Sequence, residues 1–208
     1  MTVRTADTTL LGVIAPRAID RNMVRALAVA AATALTIVAA QVSIPLPFTP
    51  VPFTFQPMVV LLGGAALGAR LGASSQVLYL ALGLSGLPVF AASPILPQGA
   101  LRLLGPTGGF LIAYPLAAFV AGYLAERGLD RRYWTSLAAM TAGLAVVFAG
   151  GVSWLATVAA PAAGWRGALA AGFWPFVAVD LLKLSLAAGA LPLAWRLTGY
   201  TRGSSTAP

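Results

Sequence analysis

Apolar residues in this chain gather into long blocks, and short polar segments separate one block from the next. The first, ALAVAAATALTIVAA, lies within Met23 to Val42, after a polar stretch that carries Arg4, Arg17 and Arg21. It is apolar on all sides and long enough to cross a hydrocarbon core, which takes roughly 20 helical residues. A secretory signal would share the basic flank and the small residues near Ala40. The long polar segment ahead of the block, and a remainder just as apolar, argue for a membrane span instead. Next comes SIPLPFTPVPFTFQP, Ser43 to Pro57, whose five prolines remove amide donors and restrict the residues before them, so an extended loop is expected. Five further helices are expected at Pro57–Ala69, Leu71–Leu87, Gly108–Ala125, Trp134–Ala160 and Ala168–Leu197, the last interrupted by Pro175 and Pro192. The helix at Pro57–Ala69 is short for a full span unless the preceding loop dips into the bilayer. Gly64, Gly68 and Gly72 recur every four residues, a spacing that lets helix backbones approach closely in lipid. A second proline-containing loop, Pro88 to Thr107, separates the third and fourth helices.

Composition sharpens this picture. Of 208 residues, 59% are apolar and 9% charged, far below the roughly 25% charged content of a soluble domain. The expected fold class is therefore all-α, a polytopic membrane protein of six transmembrane helices with cytoplasmic N- and C-termini. Residues 1–22 form a loose cytoplasmic N-terminal tail, 23–198 the six-helix membrane domain with its ligand pocket, and 199–208 a flexible C-terminal tail. Orientation follows from the arginines. With the N-terminus inside, Arg4, Arg17, Arg21, Arg25, Arg70, Arg127, Arg131, Arg132, Arg196 and Arg202 face the cytoplasm, while only Arg102 and Arg166 lie outside. The net charge of +8 thus reads as membrane orientation, and no basic patch interleaved with aromatics suggests nucleic acid. The absence of Cys and His excludes thiol chemistry, disulfides, zinc sites and imidazole relays.

Candidate chemistry concentrates in WPFVAVDLLKLSLAA, where Asp180 and Lys183 interrupt an apolar block. A charge near the centre of a membrane helix costs about 2.5–3.5 kcal/mol on insertion scales, so such residues face protein or a cavity. Their spacing of three places both on one helical face, and the same stripe continues through Phe176 and Phe173. That face reads either as a self-neutralising ion pair or as the polar floor of a small-molecule pocket with aromatic walls. Arg102 is the lone charge of the second outer loop, a lipid-headgroup anchor or a cation that receives an anionic ligand. The neighbouring GPTGG lacks the lysine and spacing of a phosphate loop; Thr107 reads as a helix N-cap, with the glycines permitting close approach. Ala26, Ala30 and Ala34 form a smooth strip on the first helix, for packing within the chain or for docking another membrane protein.

Taken together, TPVPFTFQPMVVLLGGAALGARLG, YLALGLSGLPVF, LLGPTGGFLIAYPLAAFVAGYL and the late DLLK resemble the BioY family, biotin-specific substrate-binding S components of energy-coupling factor (ECF) transporters. The resemblance spans about residues 24–197. It implies six helices, a biotin pocket near the outer face beneath outer loops, and no nucleotide site on this chain. It also implies partners: a transmembrane coupling protein and ATP-binding subunits, docked through small residues of the first helix, which matches Ala26, Ala30 and Ala34. One departure is VFAASPILPQGAL between Pro88 and Arg102, where many relatives are richer in glycine.

The implied function is capture of biotin from the outer side of a bacterial cytoplasmic membrane and its delivery inward, without catalysis, cofactor or metal. Biotin presents a ureido ring with two N–H donors and one carbonyl, an apolar thiophane and a valerate carboxylate. Asp180 suits the ureido N–H groups and Lys183 its carbonyl, and Arg102 suits either polar end. Phe53, Phe55, Phe173 and Phe176 are candidate apolar walls, and Gln56 a neutral hydrogen bonder. The alternatives are an S component for another vitamin, a fold that hosts several ligands, or an intramembrane enzyme, for which only Asp180 and Lys183 offer acid–base groups.

Overall fold

The structure is a computed structural model and describes residues 9–14, 20–93 and 96–198. The expected C-terminal tail, 199–208, most of the expected N-terminal tail, and Arg4, Arg17 and Arg202 lie outside the described residues. Ten helices and one hairpin are described. In chain order they are α1 (Leu10–Ile14), α2 (Arg21–Gln41), β1 (Ser43–Leu46), β2 (Thr49–Thr54), α3 (Gln56–Leu67), α4 (Ala69–Leu84) and α5 (Ala100–Leu104). After these come α6 (Gly108–Glu126), α7 (Tyr133–Trp154), α8 (Gly164–Gly172), α9 (Trp174–Ala187) and α10 (Ala190–Leu197). Four helical segments are long and apolar enough to cross a membrane: Arg21–Gln41, Gly108–Glu126, Tyr133–Ala159 and Pro161–Leu197. At 12 residues, α3 reaches only about 18 Å along its axis.

Helix α6 occupies the centre. Its Ala117, Ala118 and Ala121 are wholly buried, and α3, α4 and α7 pack around it. The small side chains let backbones meet. A Cβ added at Gly64 of α3 would lie 2.8 Å from the Ala118 Cα of α6, and one at Gly72 of α4 would lie 2.6 Å from the Gly64 Cα. The spacing-four glycines thus make a three-helix seam without side chains. Gly68 does something else: its φ of 90° turns the chain between α3 and α4, and the Glu126 carboxylate accepts the Ala69 amide at the start of α4 at 2.9 Å.

Several expectations need correction. The all-α reading misses a hairpin in the Ser43–Pro57 segment, where β1 and β2 pair antiparallel with Ser43 opposite Thr54 and Ile44 opposite Phe53. Prolines forbid helix there, yet a two-stranded hairpin tolerates them where a ladder bond is not needed; the register slips between Ile44 and Leu46, around Pro45. The N-terminal tail is not loose throughout, because Thr9 and Leu10 are buried and α1 packs on α3. The Pro88–Thr107 loop contains α5. Helix α7 runs on through a π turn at Leu155–Ala159. The sixth expected helix is three pieces, α8, α9 and α10. Pro175 explains the first break: without an amide it cannot bond the Ala171 carbonyl, and Thr49 of β2 supplies that bond instead at 2.6 Å. Ala26, Ala30 and Ala34 are exposed, while Ala32, Thr33, Thr36, Ala39 and Ala40 turn α2 toward the bundle. The alanine strip therefore packs on nothing within the described chain.

At the opposite end from the hairpin, the link between α6 and α7 holds α10. Trp195 donates its indole N–H to the buried Asp130 carboxylate at 2.5 Å, and Arg131 pairs with Asp130 at 3.3 Å while stacking over the Trp195 ring. Burial pushes the Asp130 carboxyl above the usual carboxylate range, against the opposing pull of Trp195 and Arg131.

Two outcomes follow. Gly64→Val forces side-chain atoms into the Ala118 backbone and lowers stability by about 1–3 kcal/mol or more, read as an earlier thermal unfolding midpoint in detergent. For Asp130, the raised folded pKa makes its contribution complete below the unfolded value and lost as pH rises through the folded one. Asp130→Asn cannot ionise. The melting difference between the two proteins therefore shifts in favour of the wild type as pH falls from about 8 to about 4.

Candidate functional site

A pocket opens among the hairpin, α3, α5, α6, α7 and α9. Its polar lining is Thr54, Gln56, Arg102, Thr107, Tyr114 and Asp180, and its apolar lining includes Val51, Phe110, Val147, Phe148 and Phe176. Each polar residue arrives by a local rule. Gln56 opens α3, where Thr54 accepts the Gln56 amide at 3.3 Å. Asp180 and Phe176 share one face of α9, four residues apart.

Asp180 and Lys183 form an ion pair at 2.5 Å, both buried. Lys183 also donates to the Thr54 carbonyl at 2.6 Å and sits 4.2 Å from the centre of the Phe53 ring and 5.5 Å from that of Phe55. One ammonium thus joins α9 to the end of β2, with an aromatic edge-to-face pair (Phe53 and Phe55, 5.9 Å apart) over it. Asp180 faces the cavity. The Lys183 head is set back from the lining, engaged with the hairpin, and Phe53 and Phe55 attend the lysine rather than the cavity wall.

Arg102 is 1% exposed, so it is no headgroup anchor. One terminal nitrogen donates to the Ala91 carbonyl, while the other, Nη1, is buried in the cavity wall without a hydrogen-bond partner. A buried guanidinium with an unmatched donor is costly on its own, and an acceptor from a ligand would satisfy it. Thr107 shows the same incompleteness. It holds the N-cap position of α6, but its hydroxyl makes no cap bond and lies in the cavity wall without a partner.

The structure thus gathers Gln56, Arg102, Asp180 and Phe176 around one space, with Lys183, Phe53 and Phe55 just behind Asp180. Phe173 departs from the expected stripe. The break between α8 and α9 rotates it out of helical register, and it stacks edge-to-face on Phe148 at 5.0 Å, lining a separate apolar groove. Sequence reasoning missed Thr107, Phe110, Tyr114 and Phe148, ordinary residues of an apolar helix whose role comes from the cavity they border. The unmatched nitrogen of Arg102 had a signal, a solitary charge on the arginine-poor side.

Comparison with known proteins fits this geometry. The family model described as BioY family matches residues 12–200. A probable biotin transporter BioY of Pyrococcus horikoshii is 42% identical over 173 residues, covering 83% of this chain and 95% of that protein. The biotin transporter BioY of Thermotoga maritima is 44% identical over 156 residues, covering 75% and 86%. A crystal structure of the S-component for biotin from an ECF-type ABC transporter superposes with a TM-score of 0.75 at 27% identity, covering 88% of this chain and 96% of that one.

The buried pair yields a stability test. Lys183→Met strands the Asp180 carboxylate in an apolar surround and costs about 3–5 kcal/mol. Adding Asp180→Asn returns part of that loss, which thermal unfolding of the three proteins measures.

Proposed function

Because the chain belongs to the BioY family, we propose that it is the membrane-embedded biotin-binding S component of an ECF-type vitamin uptake transporter. Its function is transport rather than catalysis, as the names of its relatives say of them. The observation that carries the ligand assignment is one apolar cavity holding two unlike polar features, the Arg102 nitrogen without a partner and the Asp180 carboxylate. Biotin offers a match for each. Asp180 accepts ureido N–H groups, and Lys183, paired with that carboxylate from behind, holds it in place. Arg102 receives the valerate carboxylate, a charge-assisted contact that completes its donor set. Phe110, Phe148 and Phe176 enclose the thiophane, with Gln56 and Thr107 supplying neutral bonds.

The wider setting follows from the same reading. Six membrane crossings, with α3 and α4 as the shorter two, put both termini in the cytoplasm, and the arginine asymmetry supports that orientation. The cavity then opens outward, beneath the hairpin and the α4–α5 segment, in the cytoplasmic membrane of a bacterium. Delivery inward requires a partner. The exposed Ala26, Ala30 and Ala34 strip of α2 offers a smooth face on which a transmembrane coupling protein, linked to ATP-binding subunits, can dock closely.

Equilibrium binding of labelled biotin to the purified protein tests the ligand and its orientation together. Biotin binds saturably and is displaced by desthiobiotin, but not by thiamin, riboflavin or folate. Biotin amide binds about 10–100-fold more weakly, the worth of a hydrogen-bonded charge. Arg102→Gln removes most of that discrimination. Equal binding of acid and amide by the wild type would detach Arg102 from the carboxylate, and no biotin binding by a folded sample would reopen the choice of vitamin.

A further inference from the structure

Between α4 and α5 the described residues form no helix or strand, yet the carbonyls of residues 88–92 are held one after another by side chains. Gln41 donates to Pro88 at 3.5 Å, Tyr79 to Val89 at 3.2 Å, Gln98 to Phe90 at 3.3 Å, Arg102 to Ala91, and Ser43 to Ala92 at 2.9 Å. The donors come from α2, β1, α4, α5 and the segment itself. Phe90 plugs the strap into the bundle: it is wholly buried, packs edge-to-face on Tyr79 at 5.6 Å, and fills the space that a Cβ on Gly83 would need. Ala91 of this strap lines the cavity.

Tyr79 is wholly buried and absent from the cavity lining, but its hydroxyl joins the strap to the cavity. It donates to the Val89 carbonyl and accepts from the Gln56 side-chain nitrogen at 2.7 Å. The direction of this relay is forced. A backbone carbonyl only accepts, so Tyr79 spends its single proton on Val89 and can offer Gln56 only a lone pair. The Gln56 amide must then point its nitrogen at Tyr79 and its oxygen toward Thr54, whose hydroxyl lies 3.4 Å away. What Gln56 presents to the cavity is therefore set by a carbonyl it never touches.

We propose that Tyr79 is a positioning residue for ligand binding: through one hydroxyl it fixes the polarity of the cavity amide Gln56 and ties it to the strap at Val89. This deepens the biotin-binding reading and rests on it. Without the hydroxyl, Gln56 is free to flip, so the cavity loses a defined donor–acceptor pattern while keeping every residue that lines it. The ring and its packing on Phe90 survive in Tyr79→Phe, which makes that variant the informative one.

The test is a double-mutant cycle on labelled-biotin affinity and dissociation rate, with unfolding midpoints taken alongside. Tyr79→Phe binds about tenfold more weakly and releases ligand correspondingly faster. In a Gln56→Leu background the same substitution changes the dissociation rate only within about twofold, since no amide is left to orient. Unaltered binding by Tyr79→Phe, or a full penalty in the Gln56→Leu background, overturns the proposal. Should Tyr79→Phe fail to fold, Gln56→Glu serves instead. It cannot donate to Tyr79, so it makes two acceptors compete for one proton and accelerates release; an unchanged release rate overturns the proposal equally. Failure of the wild type itself to bind biotin would count against the functional assignment, a distinct result.

Discussion

A polar group buried in a hydrocarbon environment must find its partner inside the protein, because no water is there to replace it. Much of this fold follows from that demand. Lys183 answers it three times, with Asp180, the Thr54 carbonyl and the Phe53 ring, and in doing so it pins a helix to a hairpin distant in sequence. Thr49 answers it for the carbonyl that Pro175 cannot serve. The hairpin is thus held against α8 and α9 by polar bonds more than by its own short ladder, which two strands alone could not sustain. Once so fixed, it becomes one wall of the cavity. Among the residues that line the cavity, Arg102 and Thr107 leave that demand unmet.

The bundle divides into two regimes of packing. Around α6 the contacts are backbone on backbone, through glycine and alanine, with no flexible side chain in between. On the far side, α8, α9 and α10 meet at breaks rather than continuing as one rod. The cavity sits between the two, its charged floor on the segmented side and its aromatic and hydroxyl wall on α6. Asp180 and Phe176 keep their relative places because they share α9, whereas Phe173, one residue beyond the break, does not.

What could be read in the sequence was what polarity alone reveals. Asp180 and Lys183 stand out because charge is rare in apolar blocks, and spacing of three fixes their shared face. Arg102 stands out against the arginine distribution. The expected stripe runs one turn too far, to Phe173, because the interruption at Pro175 falls between α8 and α9 and takes Phe173 out of the helical register of α9. Prolines at Ser43–Pro57 said only that a helix was excluded; strand pairing depends on register, which no local pattern there specifies. Thr107 signals a helix N-cap and nothing more, and Tyr79 and Phe148 carry no signal, since hydroxyls and rings are common in membrane helices and their use depends on neighbours far along the chain. The family resemblance supplied the ligand class that residues alone left open.

The strap over the cavity has a consequence for how the protein is made and how it breathes. Two of its bonds reach back to Gln41 and Ser43, 47 and 49 residues away, and these wait for α2 and β1 to assemble, since non-local contacts close slowly. The strap's ties to α2 and the hairpin therefore close after its local ones. Backbone held by scattered side chains, without a ladder of its own, also lacks the cooperativity that protects helices and strands. Its release still requires drawing the buried Phe90 ring away from Tyr79 and Gly83, so that plug and not the hydrogen bonds alone holds the segment down.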